Sequence, residues 1–285
     1  MSLSIIILAA GKGTRMRSDM PKVLHTLGGR PLLWHALATA RRFAGARIHV
    51  VIGHHAESVR ETFADDDIDW IEQSEQLGTG HAVAQAMPSI PDGDQVLVMY
   101  GDIPLIRHAT LAPLCSIAAQ GFIGVLTAEP EDPTGYGRIL HHADGSISGI
   151  VEEKDASESE RSIREINTGF IAAPAKKLRR WIDALENDNA QGEYYLTDVI
   201  SHAVTDGVSV RGLTADSIDE VLGINDRLQL AEQERRFQER CAIACMRDGV
   251  TLADPARFDL RGELQAGEDV SIDINAVLEG NIRLG

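Results

Sequence analysis

The chain of 285 residues has no apolar run long enough to cross a bilayer. Its first apolar run, residues 4–10, is too short and too bare of flanking basic residues to be a signal peptide. A cytoplasmic protein with no membrane role is the expectation. Cysteine is scarce: there are three, an odd number, with Cys241 and Cys245 four apart in a helical stretch. That gives no disulfide framework, and no second Cys/His pair follows to complete a zinc site, so buried or half-buried thiols are expected. Basic residues are outnumbered, 27 against 43 acids, for a formal net charge of −16. Such a surface repels nucleic-acid phosphates and excludes a DNA or RNA role. An anionic small ligand can bind only where local cations and backbone N–H groups outweigh the global field. GxSxG, HExxH and any Ser-His-Asp or Cys-His constellation are also missing. The pairs His54-His55 and His141-His142 have no third ligand nearby, and surface or supporting roles are expected for them.

What is present is an alternation of apolar runs and helical segments. Residues 4–10, 47–53 and 95–102 are rich in Ile, Val and Leu without strict alternation, as parallel strands covered on both faces are. Between them, 31–44, opening at Pro31, and 79–87 read as helices. Strand, helix, strand, helix predicts a doubly wound α/β sheet, whose ligands sit outside the carboxyl ends of the strands. The loop after the first run and "YGDIP" (100–104) both fall at that edge. "GRILHHADGSISGIVEE" predicts a hairpin around Asp144-Gly145, followed by a charged stretch, 152–165, taken as mostly solvated surface. "EINTGFIAAP" predicts a further strand, and 176–185 and 195–205 two helices, the whole forming a lobe beside the first half. Residues 225–247 read as one long charged connector helix. Beyond it Ile272, Leu278 and Leu284 recur every six residues, and Leu264 and Val270 share that spacing one frame earlier. A six-residue period predicts a hexapeptide β-helix, whose coils cannot bury their apolar faces alone, so the chain is expected to stop just inside a repeat domain.

The stretch "SIIILAAGKGTRMRSDMPKVL" holds a glycine-rich basic loop that fits neither familiar phosphate-binding pattern. Lys12 precedes Gly13, which breaks the Walker A order, and no third glycine follows Gly13 at the Rossmann spacing. The physical content survives. Gly11 and Gly13 are expected to free the backbone so that N–H groups converge on an anion. Arg15 offers a planar fork for phosphate, and Lys22 a movable point charge. Each close charge pair near a surface is worth roughly 4 kcal/mol, enough for a few of them to overcome the diffuse negative field. A phosphate-rich ligand follows.

"LAAGKGTRM…PKVLH" is similar to the signature of the sugar-1-phosphate nucleotidyltransferases, or pyrophosphorylases. "EQLGTGHA", "YGDIPLI", "DPTGYGRI", "IVEEKDA", "EINTGF", "GEYYLTDVI" and "GINDRLQL" resemble, in order, blocks of one branch. That branch is the bacterial bifunctional N-acetylglucosamine-1-phosphate uridylyltransferase/glucosamine-1-phosphate acetyltransferases, and the likeness runs along essentially the whole chain. It implies a Rossmann-like doubly wound mixed sheet (1–224), a connecting helix (225–249) and the beginning of a left-handed β-helix (250–285). The implied reaction is UTP plus N-acetylglucosamine 1-phosphate giving UDP-N-acetylglucosamine and pyrophosphate, for cell-envelope precursors such as peptidoglycan and lipopolysaccharide. Attack is in line by an already anionic phosphate oxygen, so positioning and charge stabilisation suffice.

The same resemblance assigns residues. Arg15, Lys22 and Asp102 become the catalytic group. Mg²⁺ is the implied cofactor, with Asp102 and Asn225 as its ligands; without the resemblance Asp102 reads as a turn carboxylate and Asn225-Asp226 as a helix cap. Asp226 competes with Asn225 for the ligand role. Leu8, Ala9, Ala10, Gly11, Gly78 and Thr79 would line the nucleotide, with Gln73, otherwise a surface glutamine, reading uracil. Tyr100, Gly101, Gly137, Glu152, Asn167 and Thr197 would face the sugar phosphate. The full-length relatives imply a homotrimer and an acetyltransferase whose acetyl-CoA site lies beyond Gly285, so acetyl transfer is not expected of this chain. Two alternatives remain open: a sibling enzyme for another hexose 1-phosphate or dTTP, and a non-catalytic nucleotide-sugar-binding scaffold.

Overall fold

The computed structural model describes residues 2–53, 55–64 and 67–285. β1 (Leu3–Ala9) runs into a loop with two 3-10 turns, Thr14–Met16 and Lys22–Leu24, then a small hairpin of β2 (Thr26–Leu27) and β3 (Arg30–Pro31). α1 (Leu32–Ala40), β4 (Arg47–Ile52), α2 (Ala56–Thr62), β5 (Asp69–Glu72), α3 (Thr79–Ala86) and β6 (Gln95–Tyr100) complete the first half. Next come α4 (His108–Ala119), β7 (Ile123–Ala128), β8 (Arg138–His141), β9 (Ile147–Val151), α5 (Glu158–Arg161) and β10 (Ile166–Pro174). α6 (Ala175–Asp183), α7 (Asp198–Thr205), β11 (Val210–Thr214) and α8 (Arg227–Arg247) lead to β12 (Thr251–Leu252), β13 (Phe258–Ala266), β14 (Ser271–Ile272) and β15 (Ala276–Leu284).

The main sheet runs in the order β11-β7-β10-β6-β1-β4-β5. The three apolar runs read from the sequence form its parallel centre, with β1 between β4 and β6. Ile5, Ile6 and Ile7 are fully buried, as a strand covered on both faces requires. One face packs against α3, α6 and α7, with Val83, Trp181 and Ile200 in the layer. The other packs against α1, α2 and α4, with Leu37, Val59 and Leu114. The doubly wound architecture is therefore as expected.

The lobe expected from residues 136–205 is not set beside this sheet but threaded into it. β10 lies antiparallel between β6 and β7 and makes the sheet mixed. Its burial explains why: every residue from Ile166 to Ala173 is covered, so the strand needs neighbours on both faces and both edges. The hairpin of β8 and β9, turning at Asp144-Gly145, branches from β10. The charged stretch is surface only in part. Ser157 and Glu160 form a reciprocal capping box on the exposed α5, whereas Glu152 turns inward and Ala156 is buried. α1 is shorter than the sequence suggests, and α7 begins only at Asp198.

α8 is the one long helix that residues 225–247 predict. Asp226 caps it, its Oδ1 accepting from the Gln229 N–H at 2.9 Å. Arg240 Nη1 donates to the Leu105 carbonyl at 2.9 Å, and Gly28 N–H to Glu234 Oε2 at 2.7 Å, which fasten the helix to the sheet domain. One turn on from Glu234, Gln238 Oε1 accepts from Leu260 N–H at 2.7 Å. There β13 and β15 run parallel, each residue pairing with the one eighteen further on, so Leu260 stacks on Leu278 and Leu264 on Ile282. The chain thus returns to the same face, in the next strand, eighteen residues on; in the shorter pair β12–β14 the separation is twenty, with Leu252 opposite Ile272. Among the described residues no helix is long and apolar enough to cross a membrane.

Candidate active site

β1 and β6 are in register, with Leu8 opposite Tyr100, so their carboxyl ends open at one sheet edge. Gly101 follows as a linker rather than a wall. Its N–H donates to the Leu8 carbonyl at 2.9 Å, and a Cβ there would lie 3.3 Å from Leu33 and Val23. Asp102 then projects into the opening, where its carboxylate pairs with Lys22 Nζ. The same ammonium lies 3.2 Å from Asn225 Oδ1. Three residues far apart in sequence, Lys22, Asp102 and Asn225, thus meet at one point. Asp226 caps α8, whereas Asn225 Oδ1 faces Lys22.

Two cavities share this point. One, of about 410 Å³, is lined by Leu8, Ala9, Ala10 and Gly11 from the end of β1, by Gly78 and Thr79 at the start of α3, and by Gln73, Lys22, Tyr100 and Asp102. Gln73 is only 2% exposed, unlike the surface glutamine its isolated sequence context suggests. The start of α3 is held by the "GEYYLT" segment. Gly80 N–H donates to the Tyr194 carbonyl at 2.8 Å, and Thr79 Oγ1 accepts from Leu196 N–H at 3.1 Å. Gly78 has φ of 111°, and a Cβ on it would lie 2.6 Å from the Tyr194 oxygen. Lys12, Gln76 and Glu193 line the same cavity and were not singled out from the sequence. Lys12 sits inside the glycine loop itself, and that was the available signal.

The second cavity, of about 360 Å³, is lined by Arg15, Gly137, Glu152, Asn167, Thr197 and Asn225, and shares Thr79, Tyr100 and Asp102 with the first. β10 carries a bulge between Asn167 and Ile171. There Asn167 Oδ1 accepts from Gly169 N–H at 3.0 Å, which fixes the amide. Gly169, at φ of 91°, has the Tyr100 ring 2.5 Å from where a Cβ would be, so the ring can lie flat over the bulge. Thr197 donates to Glu152 Oε1 at 2.9 Å. Burial pushes the Glu152 carboxyl up, against the pull of the Thr197 hydrogen bond and with help from the nearby Asp198 and Asp155 charges. Burial, then the charges of Glu152 and Asp102, likewise drive the Tyr100 phenol well above its ordinary range. Tyr136, Thr168 and Gln229 also line this side; they lie within the quoted blocks "DPTGYGRI", "EINTGF" and "GINDRLQL" but were not singled out there.

A cation fits between Asp102 and Asn225, because both present oxygen to the position Lys22 Nζ already approaches. One carboxylate and one amide oxygen suit a hard ion that completes its shell with water and phosphate oxygens. Among the described residues no cluster of three or more His, Cys, Asp or Glu stands ready to hold a metal alone. His141 ties the hairpin to Glu165, just before β10, at 2.7 Å, and His55 lines a separate cavity with Gly11 and Lys12. His54 lies outside the described residues. Cys245 is buried and Cys241 half-buried, as expected of structural thiols.

A mixed doubly wound sheet with a basic glycine loop and an aspartate at its carboxyl edge defines an α/β nucleotidyltransferase. The MobA-like NTP transferase domain family matches residues 5–192, two thirds of the chain, and the chain belongs to that family. It is similar to the "Bifunctional protein GlmU" of Cupriavidus pinatubonensis, 56% identical over 99% of this chain and 62% of the relative. The protein of the same name from Acinetobacter baumannii is 51% identical over 100% of this chain and 63% of its own length. The chain thus spans about three fifths of these curated relatives. Among solved structures, a UDP-glucose pyrophosphorylase complexed with UDP-glucose superposes with a TM-score of 0.70 at 17% identity, over 84% of this chain and 100% of that one. An inositol-1-phosphate CTP transferase from T. maritima does so at 0.60 and 18%, over 82% and 96%. These last two share the fold.

Proposed function

We propose that this chain transfers the uridylyl group of UTP to N-acetylglucosamine 1-phosphate, releasing pyrophosphate and forming UDP-N-acetylglucosamine, with Mg²⁺ as cofactor. The observation that carries the reading is the meeting of two cavities at Asp102, beside Lys22 and Asn225. A two-substrate transfer needs two pockets with the reacting phosphates at their junction. The pocket with Gln73 takes the nucleoside, and the pocket with Glu152, Asn167 and Thr197 the amino sugar. Buried polar groups there reject an analogue that leaves them unpaired, which favours an acetamido sugar.

The chain's own residues do the rest by position and charge. The attacking phosphate oxygen is already anionic, so the half-buried Glu152 and Tyr100 serve as hydrogen-bonding groups rather than as a base. Arg15 lies at the mouth of the sugar-side cavity and Lys22 at the seam, so both face the α-phosphate and the departing pyrophosphate. Their donors strengthen as charge accumulates on the leaving group. Mg²⁺ held by Asp102 and Asn225 would supply neutralisation of phosphate charge.

The proposal extends to organisation. Residues 1–224 form the transferase domain, 225–249 the linker, and 250–285 the first rungs of a left-handed β-helix. In a full-length relative that helix would carry acetyl transfer from acetyl-CoA to glucosamine 1-phosphate and hold a homotrimer in the cytoplasm. The strongest test is a panel of nucleoside triphosphates and hexose 1-phosphates with pyrophosphate readout. Release from UTP only when N-acetylglucosamine 1-phosphate and Mg²⁺ are both present supports the reading. Preference for another sugar or for dTTP points to a sibling enzyme, and binding without turnover to a scaffold.

A further inference from the structure

We infer that His81, which lines neither cavity, sets the base preference of the nucleotide pocket by fixing the orientation of the Gln73 amide. The inference rests on the reading of Gln73 as the base-contacting residue and goes on to say which end of its amide the base meets.

Gln73 is buried, and its Nε2 has two acceptors: the Gly78 carbonyl at 3.2 Å and His81 Nδ1 at 2.9 Å. An amide nitrogen has two hydrogens, so both are taken. The carbonyl can only accept, which fixes the nitrogen of Gln73 on that side. His81 Nδ1 must then be the acceptor, and the ring carries its proton on Nε2. Nε2 lies 3.1 Å from Gln85 Nε2, one helical turn on, where two donors would face each other. Turning the Gln85 amide over brings its Oε1 to the His81 Nε2–H and supplies the acceptor that proton needs. Gln85, His81 and Gln73 thereby form a polarised chain in which each donor faces an acceptor.

The consequence falls on Gln73 Oε1. With Nε2 occupied, the oxygen is the amide atom left for a ligand in the cavity Gln73 lines. An oxygen there accepts from a base that presents an N–H at its ring edge, as uracil does at N3. Cytosine presents a lone pair at N3, which would oppose the Oε1 lone pairs. Turning the amide over would reverse the preference, and turning it over would cost both the Gly78 and the His81 hydrogen bonds. His81 is therefore a positioning residue for base discrimination, acting through Gln73.

Direct binding of UDP and CDP, measured by calorimetry on the wild type and on His81→Leu and His81→Asn, tests this apart from turnover. Asparagine places its side-chain oxygen near the position of the histidine Nδ1 and can restore the acceptor; leucine cannot. The wild type should prefer UDP. His81→Leu should weaken UDP by about tenfold, the size expected for one lost hydrogen bond at a buried group, and shrink the UDP-to-CDP ratio. His81→Asn should keep the ratio near the wild-type value, and N-acetylglucosamine 1-phosphate binding should be the same in all three. A wild type without UDP preference, or a His81→Leu protein whose ratio is unchanged, overturns the inference, as does an Asn variant no better than Leu. Should UDP preference respond to His81 as expected while no pyrophosphate is released in the transfer assay, the transfer reading fails and this one stands.

Discussion

A Cβ built on Gly13 would lie 2.8 Å from the Cβ of Lys22, and Gly13 has φ of 58°. The second glycine of the loop is thus the surface against which the lysine stem passes on its way to Asp102. Gly11 differs: no atom lies within 4 Å of its Cβ position and its φ is ordinary, so the freedom expected of both glycines is used only at Gly13. Alanine at Gly13 should cost about 1–2 kcal/mol of backbone strain and displace Lys22. A displacement near 1 Å at reacting groups can cost about a hundredfold in rate, so kcat should fall steeply with a modest drop in Tm. Gly11→Ala should leave Tm alone and raise the KM for UTP, because its methyl enters the nucleotide cavity. Steady-state kinetics with thermal melts on the pair check this, and a Gly13→Ala enzyme with normal kcat would refute it.

Asn225 and Asp226 are adjacent and have different work. Asn225 Oδ1 faces Lys22 Nζ at 3.2 Å, and Asp226 Oδ1 accepts from Gln229 N–H at 2.9 Å. Asp226→Ala should lose a helix cap, about 0.5–2 kcal/mol of stability, with kcat retained. Asn225→Ala should do the reverse: Tm near the wild type, and a Mg²⁺ requirement shifted to higher concentration. A Mg²⁺ titration of both variants separates the roles, and an Asp226→Ala enzyme that shows the metal defect would exchange them.

The contrast between these neighbours also shows what the sequence could carry. β1, β4 and β6 were legible because a parallel strand must be apolar on both faces, and the pattern states that directly. The six-residue period was legible because it repeats along the chain, and it reappears as the eighteen-residue pairing of β13 with β15. What was not legible depends on chain-distant meetings. Nothing local distinguishes Asn225 from Asp226 as the residue that turns to the cleft, because Lys22 and Asp102, which settle it, lie in other parts of the chain. β10 reads as the start of a separate lobe because an isolated strand does not reveal which sheet will accept it. Gln73 looks like surface until α3 brings His81 to cover it.

Arg138 is a buried guanidinium that lines neither cavity. It is 1% exposed, and it donates to the carbonyls of Ile163 at 3.0 Å and of Tyr136, with the Glu153 carboxylate 2.7 Å away. Its partners flank Gly137 and Glu152, two walls of the sugar-side cavity. Arg138→Met should leave those carbonyls without their donor and Glu153 without its counter-charge, at about 3 kcal/mol, the lower end for breaking a buried pair because Glu153 is partly exposed. The KM for N-acetylglucosamine 1-phosphate should rise while that for UTP holds, and Arg138→Lys should restore the charge but only part of the KM. Equal changes in the two KM values would mean that Arg138 serves general stability alone.

His49 makes a pH prediction with a definite sign. It is fully buried in β4, its Nδ1 lies 3.3 Å from Asp69 Oδ2, and neither ring nitrogen has a hydrogen-bond partner among the described residues. Burial holds its pKa below the ordinary value of 6.5, against a smaller upward pull from Asp69. His25 and His35 are shifted the same way, also by burial first. In the unfolded chain these rings titrate at the ordinary value, so the unfolded state takes up protons first as pH falls. Stability is therefore complete above that value, declines as pH drops through it, and levels off below the folded pKa values. The raised carboxyls of Glu152 and Asp198, and His141, raised by its hydrogen bond to Glu165, act in the opposite sense, losing stability as pH rises, so the informative comparison is variant against wild type. Wild-type Tm should fall between about pH 7.5 and about pH 5.5, the range in which histidine changes charge. His49→Leu, which removes one of the three rings without opening a large cavity, should show a smaller fall over the same interval. Calorimetric melts at both pH values decide it, and an identical fall in the variant would assign the loss to other groups.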